Sequence, residues 1–125
     1  MNLLDSSAWL EFFAGGPLAG KFSAIASEPT AVLVPTVVLY EVFKVVLRER
    51  GETAAIQAVA ALRQGKVVDV TEEIALVAAR ASLAHRLPMA DSLILATAHL
   101  HGATLWTMDD HFKDLPRVRY FSRRP

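Results

Sequence analysis

The sequence predicts an α/β domain built on a mainly parallel sheet. Three observations carry that expectation. Short apolar runs of strand length alternate along the whole chain with longer segments of helical period. These runs are short and largely apolar, as strands covered on both faces are. The 125 residues are 53% apolar and 21% charged, enough to bury a real core and far from a disordered composition. One domain, residues 1–125, is expected.

Residues 2–5, NLLD, form a first strand ending in an acid. Ser6 or Ser7 then caps a helix through Ala14, which Gly15-Gly16 stops. Pro17 suits the first turn of a second helix through Ala26. AVLV at 31–34 reads as a buried strand ended by Pro35, and Thr36 caps a helix to Arg50, punctuated by Gly51. Thr53–Gln64 is an Ala-rich helix, and KVVDV at 66–70 a strand. Thr71 caps a helix to His85, with Glu72 and Glu73 in the first turn, where the helix dipole favours them. Pro88 opens the helix MADSLILATAHLH, which Gly102 stops. ATLWT at 103–107 is a strand, Asp109–Leu115 a short helical turn, and VRYF at 118–121 a last edge strand. In such sheets ligands sit beyond the carboxyl ends of the strands, near a topological switch point.

Thirteen basic residues balance thirteen acidic ones. That argues against a polybasic nucleic-acid coat or a membrane-surface binder, while leaving room for a local charged site. Cysteine is absent, which excludes disulfides and thiolate metal sites. The start, MNLLDSSAWL, lacks a basic stretch before an apolar one, and the longest apolar runs fall well short of the roughly 20 residues a bilayer span needs. A cytoplasmic protein is expected.

Glu28, Glu49, Glu52, Glu72, Glu73 and Asp114 lie at element ends or in polar contexts and read as solvated surface. Glu11, between Leu10 and Phe12 in the first helix, reads as surface, and Asp69, among valines, as structural at a sheet edge or helix end. Four differ. Asp5 closes the first strand, and Asp109 follows LWTM, just past another strand end. Glu41 has Val37, Val38 and Val45 three or four residues away, and Asp91 has Ile94 and Leu95 in the same relation, so both border apolar helix stripes. A carboxylate there is costly unless paired. Four anions gathered in one pocket would need a counter-charge, and a hard divalent cation with oxygen ligands fits best. With no Cys, and no His pair at ligand spacing to these acids, Mg²⁺ or Mn²⁺ is favoured over Zn²⁺. Each acid also has a structural alternative. Glu41 can pair with Lys44, Asp91 can serve the helix dipole, and Asp5 and Asp109 can cap the elements after them. Spacing alone does not choose between these.

The stretches LLDSSAWL, PTVVLYEVFK, LPMADSLILATA and GATLWTMDDHF follow in this order across essentially the whole chain. Together they resemble the PIN domain, most closely the VapC-type toxin ribonucleases of bacterial and archaeal toxin–antitoxin pairs. The resemblance implies a three-layer α/β/α fold, a single PIN-like domain, an acidic pocket binding Mg²⁺ or Mn²⁺, and endonucleolytic cleavage of RNA. By the same resemblance Asp5, Glu41 and Asp91 match the family's first three acids. The pattern T-x-D-x-x-F fits Thr107, Asp109 and Phe112 and makes Asp109 the fourth, with Asp110 next door able to share that role. Ser6 and Thr107 match supporting polar positions. The family also implies a homodimer and an antitoxin partner that occludes the pocket.

Basic residues gather at Lys113, Arg117, Arg119, Arg123 and Arg124, and again at Lys44, Arg48 and Arg50; either group is a candidate for phosphate contact or simply a solvated face. His85, His99 and His101 read as helix-end residues, and His111 as a neighbour of the pocket. Trp9, Phe12, Phe13 and Phe22 read as core or dimer contact. Competing readings are a receiver-like phospho-acceptor module, an inactive scaffold with an acidic Mg-binding pocket, and a phosphotransfer enzyme using an N-terminal Asp. The last would carry a second Asp where Ser7 stands.

Overall fold

The computed structural model describes residues 1–123. Five strands form one parallel sheet: β1 (Asn2–Leu4), β2 (Val32–Pro35), β3 (Lys66–Val68), β4 (Thr104–Thr107) and β5 (Val118–Tyr120). Their spatial order is β3-β2-β1-β4-β5. The chain therefore steps outward from β1 to β3, then crosses back to β4 on the other side of β1. Right-handed crossovers, the near-universal hand for parallel strands, put the helices of the outward and return paths on opposite faces. The outward path carries α1 (Ser6–Ala14), α2 (Ala19–Ala26), α3 (Thr36–Arg50) and α4 (Glu52–Leu62), and the return path α5 (Glu72–His85) and α6 (Met89–Leu100). This is the expected three-layer α/β/α arrangement.

The central strands are buried because helices cover both faces. Val32, Leu33 and Val34 are all inaccessible, as are Leu3, Leu4 and Leu105. Phe22, Leu62, Ile94, Leu95 and Phe112 fill the layers around them, each buried side chain worth about 1.5–3 kcal/mol. The edges are polar: Lys66 is exposed on β3, and Arg119 on β5. Pro35 is tolerated because it ends β2, past the two residues that pair with β1.

Several boundaries differ from the sequence reading. Neither Ser6 nor Ser7 caps α1; Asp5 does, accepting from the Ala8 N–H. Thr36 lies inside α3, where Pro35 holds the cap position without a side-chain bond. The second helix begins at Ala19 rather than Pro17. The turn before it is held by Glu11, whose Oε2 accepts from the Leu18 N–H at 2.9 Å. The helix placed at 53–64 runs Glu52–Leu62, and Gly51, with φ of 87°, ends α3 and opens α4 in one step. β3 stops at Val68, and the turn placed at 109–115 contracts to a 3-10 turn at Asp110–Phe112. Arg124 lies outside the described residues.

Candidate metal centre

The carboxyl ends of β1 and β4 meet where the chain's path reverses, which is where ligands collect in open parallel sheets. Asp5 is the first residue beyond β1. Its role as the α1 cap fixes it in place: Oδ1 accepts from the Ala8 N–H at 3.0 Å. The Ser7 hydroxyl donates to the same oxygen at 2.6 Å, and the Thr107 hydroxyl donates to Oδ2 at 2.5 Å. Asp5 is only 2% exposed. Burial raises its pKa to about 6; these three hydrogen bonds oppose the rise and the negative charge of Asp109 adds to it.

Thr107 ends β4 and is fully buried. Its oxygen accepts from the Asp109 N–H at 2.9 Å while its proton goes to Asp5, so one hydroxyl ties the two acids together. Ser7 makes the parallel link, accepting from the Met108 N–H at 2.9 Å. Asp109 in turn caps the 3-10 turn, its Oδ1 accepting from the His111 N–H at 2.9 Å. Asp91 stands in the first turn of α6, which Pro88 starts without a side-chain cap. Burial, then the charge and hydrogen bonding of Asp109, push the Asp91 carboxyl up to about 7; Glu41 adds to the rise and His111 opposes it. On α3, Glu41 Oε1 accepts from the Ser6 hydroxyl at 2.9 Å. Lys44 lies over the Tyr40 ring, 5.5 Å from its centre, and forms no ion pair with Glu41 among the described residues.

The four acids singled out in the sequence therefore share one electrostatic field. Asp5 and Asp91 each feel Asp109, and Asp91 feels Glu41. The capping alternatives for Asp5 and Asp109 hold as well, because capping is how the backbone aims them. The closest donors are Asp91, Asp109 and His111, one atom of each lying within 4.8 Å of the others. Asp110 is exposed and stays outside that group, in an adjoining cavity of about 630 Å³ with Asp109, Met108, Tyr120, Ser122 and Arg123. Ser6 donates to Glu41 and Thr107 to Asp5. Ser7 was not among the expected residues. Its adjacency to Asp5 was visible, but its second partner, Met108, is 101 positions away.

These residues suit a hard dication. Two carboxyls are held well above their ordinary range by burial and by other carboxyls, and the donors are chiefly oxygens. Bound charge of the opposite sign would relieve both causes.

A doubly wound α/β domain with an acidic cluster at its switch point is the class these features define. The PIN domain family model matches residues 3–118, and the chain belongs to that family. No curated protein matches it significantly. Among solved structures, a toxin–antitoxin complex from Klebsiella pneumoniae superposes with a TM-score of 0.83 at 22% identity, covering 98% of this chain and 99% of that one. Mycobacterium tuberculosis VapC20, described as a Sarcin-Ricin loop cleaving toxin, gives 0.78 at 24% identity over 100% of both chains. VapBC2 from Rickettsia felis, bound to a DNA fragment from its promoter, gives 0.72 at 18% identity over 97% of each. At such identities the likeness is one of fold.

Proposed function

We propose that this chain is a metal-dependent endoribonuclease, the toxin of a VapBC-type toxin–antitoxin pair. The observation that carries the reading is the meeting of Asp5, Glu41, Asp91 and Asp109, from four separate elements, at the switch point of a PIN fold. Asp5, Glu41, Asp91 and Asp109 would hold Mg²⁺ or Mn²⁺, directly or through water. When bound, such an ion supplies positive charge to the scissile phosphate and a water acidic enough to act as hydroxide near neutral pH.

The chain's own residues do the rest. Ser7, Thr107 and the Ala8 N–H hold the Asp5 carboxylate in one orientation. Ser6 holds Glu41 where it can complete the shell or orient water. Asp110 would line the adjoining cavity, beside Asp109 and Tyr120. Arg123 shares the cavity beside Asp109 and would contact a phosphate of the RNA. The basic residues of α3 are less suited, since Arg48 pairs with Glu49 and Arg50 donates to the Phe13 carbonyl.

The solved neighbours that are toxin–antitoxin complexes support an antitoxin partner here. A homodimer and residues 1–125 as one cytoplasmic domain complete the reading. No helix among the described residues is long and apolar enough to cross a membrane.

The test is cleavage of RNA by the purified chain. Cutting that needs Mg²⁺ or Mn²⁺, stops with EDTA, and is lost in Asp5→Asn and Asp91→Asn is expected. Cutting at the native rate by both variants sinks the assignment; no cutting with either metal favours a non-catalytic scaffold. Growth arrest relieved by the adjoining upstream open reading frame tests the toxin role.

A further inference from the structure

We propose that His111 is itself a ligand of this centre, and that its nitrogen makes the site prefer Mn²⁺ to Mg²⁺. The inference rests on the metal-centre reading above and goes beyond it to the identity of the ion. His111 Nδ1 lies 2.8 Å from Asp109 Oδ1 and 3.3 Å from Asp91 Oδ2. The three donor atoms fall within 4.8 Å of one another. Ligands at about 2.0–2.2 Å from one small cation lie roughly 3–4 Å apart, so this cluster is already close to a ligand face.

The backbone under the ring is well anchored. The His111 N–H donates to Asp109 Oδ1, and the next residue, Phe112, is fully buried in the core. The ring itself is half exposed, which leaves it room to pivot as an ion enters. Its Nδ1 edge already faces both carboxylates. No other histidine joins a candidate metal cluster among the described residues.

The chemistry follows from the donor set. Mg²⁺ prefers oxygen and gives up water reluctantly, so an imidazole adds little to its binding. First-row transition dications accept an imidazole more readily than Mg²⁺ does, and Mn²⁺, the weakest of them, is the one that also suits a carboxylate-rich set. Two carboxylates with one imidazole therefore discriminate where an all-oxygen set would not.

The experiment uses the full chain and Mn²⁺ alone, followed by electron paramagnetic resonance, with Mg²⁺ as competitor. Pulsed spectra of the native protein should show coupling from a directly bound nitrogen. His111→Ala should lose that coupling, and should lose Mn²⁺ affinity by about 10-fold or more while Mg²⁺ affinity stays within about 2-fold. Native protein that binds Mn²⁺ without nitrogen coupling overturns the proposal, and so does a His111→Ala variant that binds Mn²⁺ as tightly or more tightly. In either of those cases, loss of Mn²⁺ binding in Asp91→Asn would leave the metal centre standing without its histidine. Failure of native protein to bind Mn²⁺ overturns this proposal, and failure to bind Mg²⁺ as well would remove the metal centre itself.

Discussion

Thr107 donates a hydrogen bond of 2.5 Å to Asp5 across 102 positions of sequence, and the same oxygen accepts from the Asp109 backbone. β1 and β4 are paired neighbours, so this one hydroxyl locks the ends of two strands and two acids into a common geometry.

Thr107→Val keeps the shape and removes that hydroxyl. It strands a buried carboxylate oxygen and the Asp109 N–H, which should cost about 1–3 kcal/mol in urea unfolding. Thr107→Ser restores both bonds and should recover most of the loss. Equal midpoints for native and Thr107→Val would mean the hydroxyl contributes nothing.

Stability of the metal-free protein should fall as pH rises through neutrality. Asp5 and Asp91, with pKa values of about 6 and about 7, stay protonated in the fold where the unfolded chain, near 3.8, has released its protons. The folded state thus binds more protons between about pH 4 and 7. The stability this confers is complete below about pH 4 and lost as pH passes through the folded values. For Asp5 the shift corresponds to about 3 kcal/mol at most. Asp5→Asn, an equally good helix cap, should be more stable than native by about 1–3 kcal/mol at pH 8 and nearly equal at pH 4. Unfolding in EDTA across that range decides it: a native midpoint that climbs from pH 5 to 8 contradicts the prediction. Saturating Mn²⁺ should flatten or reverse the slope, because ligation needs the ionised acids.

Gly16→Ala should loosen the α1–α2 turn. A Cβ at Gly16 would sit 2.2 Å from Glu11 Oε1, displacing the carboxylate from the Leu18 N–H. The expected cost is about 1 kcal/mol. In Glu11→Ala the same glycine substitution should be nearly neutral, so a double-mutant cycle should show coupling. Additive effects would mean that Glu11 does not hold the turn.

Arg123→Ala should weaken binding of a non-cleavable RNA and reduce the salt slope of log affinity by about 1, while Arg48→Ala should change neither appreciably. The contrast follows from placement: Arg123 shares a cavity with Asp109, and Arg48 is paired with Glu49 on an exposed helix end. Equal slopes for native and Arg123→Ala would remove that residue from substrate contact.

Short, largely apolar runs mark strands covered on both faces, so AVLV and ATLWT carry the local signature of the parallel sheet. Burial beside an acid was visible too, because Glu41 and Asp91 each have valines or leucines one helical turn away. Caps were harder. Asp, Ser and Thr accept from a helix end with similar energy, so Asp5 could be told from Ser6 and Ser7 only by seeing which oxygen reached the Ala8 N–H.

Sequence alone determined the kind of sheet, the absence of thiolate chemistry and the four acids at issue, since composition and periodicity act over a few residues and leave a local trace. Only the tertiary structure decided that Asp5, Glu41, Asp91 and Asp109 share one field, that Ser7 braces Asp5 against Met108, and that His111 stands between two carboxylates. Those relations depend on strand order, which places β4 against β1 although the chain visits β2 and β3 between them. No short-range pattern encodes which distant strand will be a neighbour; the packing of the whole core sets it.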